Sequence, residues 1–250
     1  MINIVNDRFD FRADLPGLGN PRSDIPDIPV DHLRLDVKIE WYENLLVTAI
    51  LQRAMQRDPS ITSQDYSKVF PHIKHALDWL RKTDFYSSPA STKYHDAKYG
   101  GLLNHTLEAY VQLVGLRSVP KFKSVVSNQW WSAVLAILVH DWCKIGRYEH
   151  YLKNVKDEDT GEWVQEDAYR IKDDEVTRFG HGTQSLIMAT QLFNSRLTSL
   201  TFEEMAAIRW HMDAWDIGHY DDADLHKCDE KIPMVRMIQF ADQLAITTYQ

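Results

Sequence analysis

The residues of this chain best suited to chemistry are a doublet, His140-Asp141, that closes the apolar run Ala133 to Val139. Burying an unpaired carboxylate costs several kcal/mol, so Asp141 needs a cation from a neighbouring helix, solvent at a cleft, or a metal. Taken alone, the doublet is equally a satisfied core pair. Four other residues change that reading. His105 sits in the first turn of a helix opened by Gly100-Gly101, where glycine lets backbone segments approach closely. His181 lies between Gly180 and Gly182 just before a further helix. His211 falls near the end of a helix with an apolar face (Met205, Ile208, Met212), and Asp242 is a lone acid inside the apolar stretch Ile238 to Ala245.

Each has an ordinary structural role open to it. His105 suits a helix start, His181 a surface loop and His211 a satisfied core position, while Asp242 could pair with Arg209 or Arg236. Those roles must all hold together, however. Imidazole and carboxylate are the usual ligands of Zn, Mn, Fe and similar ions. Six such groups on five helix segments suit two adjacent ions, with the Asp141 carboxylate able to bridge them.

The elements that must position these groups read as helical. Apolar spacing predicts helices over 40–57, 63–80, 102–116 and 124–142, the last apolar almost all round and therefore central. Helices resume at 183–197, at 202–213 with Thr201 as cap, and at 232–248. Residues 85–101 are a loop rich in Ser, Pro and Gly. The alternation in 151–172, with a turn at Asp159-Thr160-Gly161, predicts an inserted β-hairpin. Four of the nine prolines fall in residues 1–35, which reads as an irregular arm packing on the domain or a partner. The expectation is one all-α helical bundle over 36–250, with the hairpin as an excursion.

Composition narrows the function. A formal charge of −8 disfavours a protein working mainly by clamping a nucleic-acid backbone. The run Ala133 to Val139 is far too short to span a bilayer, and the charged amino terminus does not suit a signal peptide, so a cytosolic, cytoplasmic protein is expected. Two cysteines without a CxxC pair argue against a disulfide framework or a cysteine zinc site, and Cys143 reads as packing.

The motifs GGLLNHT, LVHDWCKIG, GHGTQS, IRWHM and FADQLA, in that order over about 85–250, resemble the HD-domain superfamily of metal-dependent phosphohydrolases, named for this doublet. The wording of FYSSPASTKYH with GGLLNHT, GHG and AIRWHM is most similar to HD proteins common in phages and Firmicutes. It is more loosely similar to the HD part of a bacterial 3′→5′ exoribonuclease. The resemblance implies an all-α bundle and a metal set of His105, His140, Asp141, His181, His211 and Asp242. The cofactors it implies are divalent ions, two in dinuclear members, drawn from Mn, Fe, Ni, Co, Mg or Zn. In such enzymes the metals bind a phosphate oxygen and acidify the attacking water, with Asp141 bridging.

Around that set, Lys144 shares the face of the doublet if the helix continues, and could neutralise phosphate charge or form an ordinary salt bridge. Arg147 and Tyr148 follow as substrate-binding candidates. Lys153, Lys156, Arg170, Lys172 and Arg178 are mixed with many acids, which suits a solvated face. Trp142, Trp215, Tyr148 and Tyr220 could stack on a base or fill the core. His72 and His75 lack a complementary acid and read as structural or exposed. His95, His219 and His226 lie in polar stretches, as outer candidates. The expected activity is hydrolysis of a nucleotide or nucleic-acid phosphate ester, with a small phosphorylated molecule, a cyclic nucleotide or a strand end as substrate. Three alternatives stay open: a diiron oxygenase of a small polyol or phosphonate, a 3′→5′ exonuclease, and a non-catalytic nucleotide-binding module. No membrane partner is expected, and an oligomer is compatible with the arm.

Overall fold

The computed structural model describes residues 4–5, 8–9, 25, 28–173, 179–216 and 222–247. A short antiparallel pair, β1 (Ile4–Val5) and β2 (Arg8–Phe9), is followed by helices α1 (Leu35–Arg57), α2 (Phe70–Leu80), α3 (Gly101–Gly115), α4 (Lys123–Asn128) and α5 (Trp130–Val139). The hairpin β3 (Tyr148–Lys156) and β4 (Trp163–Ile171) comes next, then α6 (His181–Leu192), α7 (Phe202–Arg209), α8 (Asp222–Lys231) and α9 (Pro233–Thr247). The described chain is mostly helical with one inserted hairpin, as the periodicity predicts. None of the described helices is long and apolar enough to cross a membrane. Most of the proline-rich arm lies outside the described residues, although Ile25 and Val30 pack on the core.

Helix α5 is central because its sequence leaves it no polar face. Every residue from Ser132 to Val139 is buried, and α1, α3, α4, α7 and α9 pack around it. Burial of Leu, Ile and Val side chains on all sides supplies the main driving force for the bundle, at about 1.5–3 kcal/mol per side chain. A buried ion pair then ties α1 to α7, and a capping box defines where α7 starts. Arg53 on α1 grips Glu204 on α7 through two 2.6 Å contacts, and it also donates to the carbonyls of Thr198 and Ser199. Thr201 and Glu204 form a reciprocal capping box at the start of α7, bearing out Thr201 as cap.

Several boundaries differ from the sequence expectation. The helix expected from residue 63 begins only at Phe70. Thr62 Oγ1 and Asp65 Oδ1 capture the nearby backbone amides of Asp65 and Ser67, which turns the chain before a helix can start. The helix expected over 124–142 breaks at Gln129 (φ −136°) and ends at Val139. Those expected over 183–197 and 202–213 stop at Leu192 and Arg209, and α1 begins five residues before residue 40. Helix α8, polar and half exposed, carries no apolar stripe that periodicity could register.

Candidate metal centre

The doublet stands where α5 runs out. Asp141 has left the helix (φ −108°, ψ 18°), in the sparsely populated bridge region where many active-site residues sit. A single turn of 3-10 helix, Trp142–Lys144, follows. Tyr42 of α1 brackets this break: its hydroxyl donates to Leu138 O at 2.9 Å and accepts from Trp142 Nε1 at 3.2 Å. One buried phenol thus satisfies the loose carbonyl of the helix end and holds the turn that follows.

Four elements aim side chains at the break. His105 comes from the first turns of α3, whose Gly100 has φ +74°. Gly101 has no room for a side chain, since a Cβ there would lie 1.9 Å from Asp96 O. Asn104 ties this end of α3 down by accepting from Lys38 Nζ at 2.7 Å and donating to Asp96 Oδ1 at 3.0 Å. His211 follows the end of α7, Asp242 projects from the middle of α9, and His181 opens α6.

The atoms that meet are imidazole nitrogens and carboxylate oxygens. His105 Nε2 and His140 Nε2 lie 3.3 Å apart. Asp242 Oδ1 is 2.9 Å from the first and 3.4 Å from the second, and Asp141 Oδ2 is 3.3 Å and 3.4 Å from the same two atoms. Donors bound to one ion at about 2.0–2.2 Å lie roughly 2.9–3.5 Å from one another, so the spacing fits a shared cation. The other Asp141 oxygen, Oδ1, faces His211 Nε2 at 3.6 Å, and neither atom has a hydrogen-bond partner among the described residues. His140 and His211 each direct Nδ1 to the carbonyl three residues earlier, Ile137 O at 2.7 Å and Ile208 O at 2.8 Å. That bond places the proton on Nδ1 and leaves Nε2 available as a ligand. Buried His, Asp and Cys groups here could hold a metal ion.

Electrostatics agree with a site that needs positive charge. Burial opposes charge on Asp141, yet Lys144 and His140 hold it well below the usual carboxylate range. Burial likewise opposes charge on Asp242, but His105 and His140 hold it down. Burial lowers the His140 imidazole, and Asp141 and Asp242 outweigh it, pushing the group up to about 10. Without an added cation the two carboxylates are compensated by histidine protons and by Lys144, whose Nζ is 2.6 Å from Asp141 Oδ2.

Of the residues predicted from sequence, His105, His140, Asp141 and Asp242 converge on one point, and His211 meets the far oxygen of Asp141. His181 stands apart from the first group. It clusters with Asp141 and Cys143, its Nδ1 3.7 Å from Cys143 Sγ and its Nε2 3.4 Å from an Arg147 nitrogen. Asp242 pairs with histidines rather than with Arg209 or Arg236. Lys144 reaches Asp141 through the 3-10 turn, although the helix does not continue.

Cys143, read from sequence as packing, is a possible donor beside His181, although burial and then Asp141 push its thiol up to about 12. His95, one of the outer candidates, lies in the loop before α3 with its ring 4.9 Å from that of His105. No periodic signal marks a loop histidine, so its place against His105 is given by the folded loop alone. His72 is half-buried, while His75 and His226 are exposed, and none of the three belongs to the cluster; His219, Tyr220 and Arg178 lie outside the described residues. Trp142 is core, and Trp215 is exposed. Arg170 pairs with Glu149, and Lys172 donates to Gly146 O, in keeping with a solvated hairpin surface.

Comparison with protein-family models, curated proteins and solved structures found no match.

Proposed function

We propose that this protein is a metal-dependent phosphohydrolase of HD type. His105, His140, Asp141 and Asp242 would hold one divalent ion, and His211 with the far oxygen of Asp141, and His181 beyond it, would serve a second. An ion bound there would supply Lewis acidity and lower the pKa of a water molecule.

The observation that carries the phosphate assignment is Arg147. Its side chain is buried, its Nε has no hydrogen-bond partner, and it makes no carboxylate ion pair among the described residues. A buried guanidinium without a counter-ion is costly, and its forked donors match phosphate oxygens. It lies against His181, so an anion bound to it would sit beside the ligand cluster. Lys144, held on Asp141, adds a second positive charge that favours charge developing on the phosphoryl group. Asp141 has both oxygens committed to this neighbourhood, Oδ2 to His105, His140 and Lys144 and Oδ1 to His211, so its carboxylate is held in one orientation. The class of substrate on this reading is a nucleotide or another phosphate ester.

The test is metal analysis of the purified protein followed by a phosphate-ester screen with Mn²⁺, Mg²⁺, Co²⁺ and Ni²⁺. Release of phosphate or of an alcohol, abolished by Asp141→Asn and strongly reduced by Arg147→Ala, is the expected result. An iron-loaded protein that consumes oxygen with a polyol or phosphonate, and cleaves no ester, would overturn it.

A further inference from the structure

A cavity of 480 Å³ opens between the loop before α3 and one face of the hairpin. Asp84, Ser88 and Tyr99 line it from the loop side, and Tyr148, His150 and Tyr169 from the hairpin. Strand pairing explains the second wall: Tyr148 opposes Ile171 and His150 opposes Tyr169, so alternation turns all these side chains to one face. The volume lies within the roughly 300–1,000 Å³ typical of small-molecule sites.

Three features define what fits. The first is aromatic surface, with the His150 and Tyr169 rings packed edge to face at 5.6 Å. The second is Ser88, 3% exposed on the cavity wall, whose Oγ has no hydrogen-bond partner among the described residues. A buried hydroxyl of this kind is normally satisfied, so it points to a polar ligand atom. The third is charge. The carboxylates of the wall are Asp84 and Asp167, the second 2.7 Å from His150 Nε2 through one oxygen, and their remaining oxygens repel phosphate and accept from amino groups. Asp84 also accepts from Gly146 N at 2.7 Å, locking the loop to the segment that carries Arg147 and Tyr148.

These last two residues are consecutive, with Cα atoms about 3.8 Å apart. Arg147 turns to His181 in the metal cluster, and Tyr148 turns to the cavity. From this arrangement we infer that the cavity binds the nucleobase of a nucleotide whose phosphate lies on Arg147. The inference rests on the phosphohydrolase reading for the position of the phosphate. The aromatic walls would take the planar base, and Ser88 with the two acids would take its polar edge.

Calorimetric titration with adenosine, guanosine, cytidine and uridine tests this, because nucleosides carry no phosphate and need no metal. Ribose serves as the baseless control. At least one nucleoside should bind where ribose does not, and Tyr169→Ala should weaken it roughly tenfold or more, the scale of losing one stacking partner. Ser88→Ala should change the preference among bases several-fold. Thermal melting checks that each variant is folded, with Tyr169→Leu replacing the alanine variant if that one is not. Failure of every nucleoside to bind at millimolar concentration, or binding indifferent to both substitutions, would overturn the inference. If nucleosides bind but no ester is cleaved, the pocket stands and the hydrolase reading falls; the reverse result sinks the pocket alone. A short single strand distinguishes a strand end from a free nucleotide. Trp163 is 71% exposed at the far end of the same hairpin face, and only a strand would reach it, so Trp163→Ala should weaken the strand alone.

Discussion

Gly182 follows His181, and its Cα faces the end of α7. A Cβ added there would lie 2.0 Å from Arg209 O, 2.8 Å from the Arg209 carbonyl carbon and 3.1 Å from Ile208 O. Real Cβ contacts essentially never fall below 3.0 Å, so Gly182→Ala must push α6 and α7 apart by about 1 Å. The obstacle is helix backbone, which cannot swing aside as a side-chain tip can. Overpacking of this kind costs about 1–3 kcal/mol. For a domain of this size each kcal/mol shifts Tm by about 2–4 °C, so a fall of roughly 2–12 °C is expected. The displacement also strikes the site, because Ile208 O is the acceptor that fixes His211 Nδ1 at 2.8 Å. Metal retained after dialysis, measured by mass spectrometry, should therefore fall along with Tm. Gly115→Ala is the internal control: nothing lies within 4 Å of its Cβ and its backbone is right-handed helical (φ −58°, ψ −37°). That substitution should raise stability by up to about 1 kcal/mol through helix propensity. If Gly182→Ala melts with the wild type and keeps its metal, the close approach of α6 to α7 is not what holds His211.

Three further outcomes follow from the same geometry. Asp141→Asn keeps the shape of the side chain but removes the charge between the two ligand sets, and should lower metal affinity at least about 100-fold, beyond the 10–100-fold typical of losing a ligand's supporting contact; titration with a fluorescent metal indicator measures it. Chelation should lower the wild-type Tm, since free metal at 100 times Kd stabilises by about 2.7 kcal/mol, or roughly 5–11 °C here, and Asp242→Asn should lose most of that difference in scanning calorimetry. Arg53→Met strands the Glu204 carboxylate, which is fully buried, and should cost about 3–5 kcal/mol in urea denaturation. Adding Glu204→Gln, which keeps an oxygen for Thr201 N, should recover part of that loss; no recovery would mean that the stranded charge is not the cause.

The candidate ligands were legible because each violates the pattern around it. An acid in the apolar face of α9, a doublet closing the most apolar helix and histidines bracketed by glycines all cost stability where they stand. The glycines proved informative for the same reason, since Gly101 and Gly182 each lie where a Cβ would strike backbone. The hairpin was legible from its alternation, whereas α8 was not, because periodicity reports only helices with an apolar stripe. Helix ends were read less well. Side-chain capture at Thr62 and Asp65, and the break at Gln129, depend on local hydrogen bonds that compete with the helix.

What the chain alone determined is which groups stand out as candidate ligands, because residue type and the cost of burial are local properties. What the tertiary structure decided is how those groups divide. His105, His140, Asp141 and Asp242 close on one point, while His181 is drawn off to Cys143 and Arg147. No spacing along the chain encodes that split, since it depends on how far α6 stands from α3 and α9 across the core. The same holds for the cavity. Ser88 and Tyr169 are far apart in sequence and line one cavity only because the hairpin folds its aromatic face over the loop.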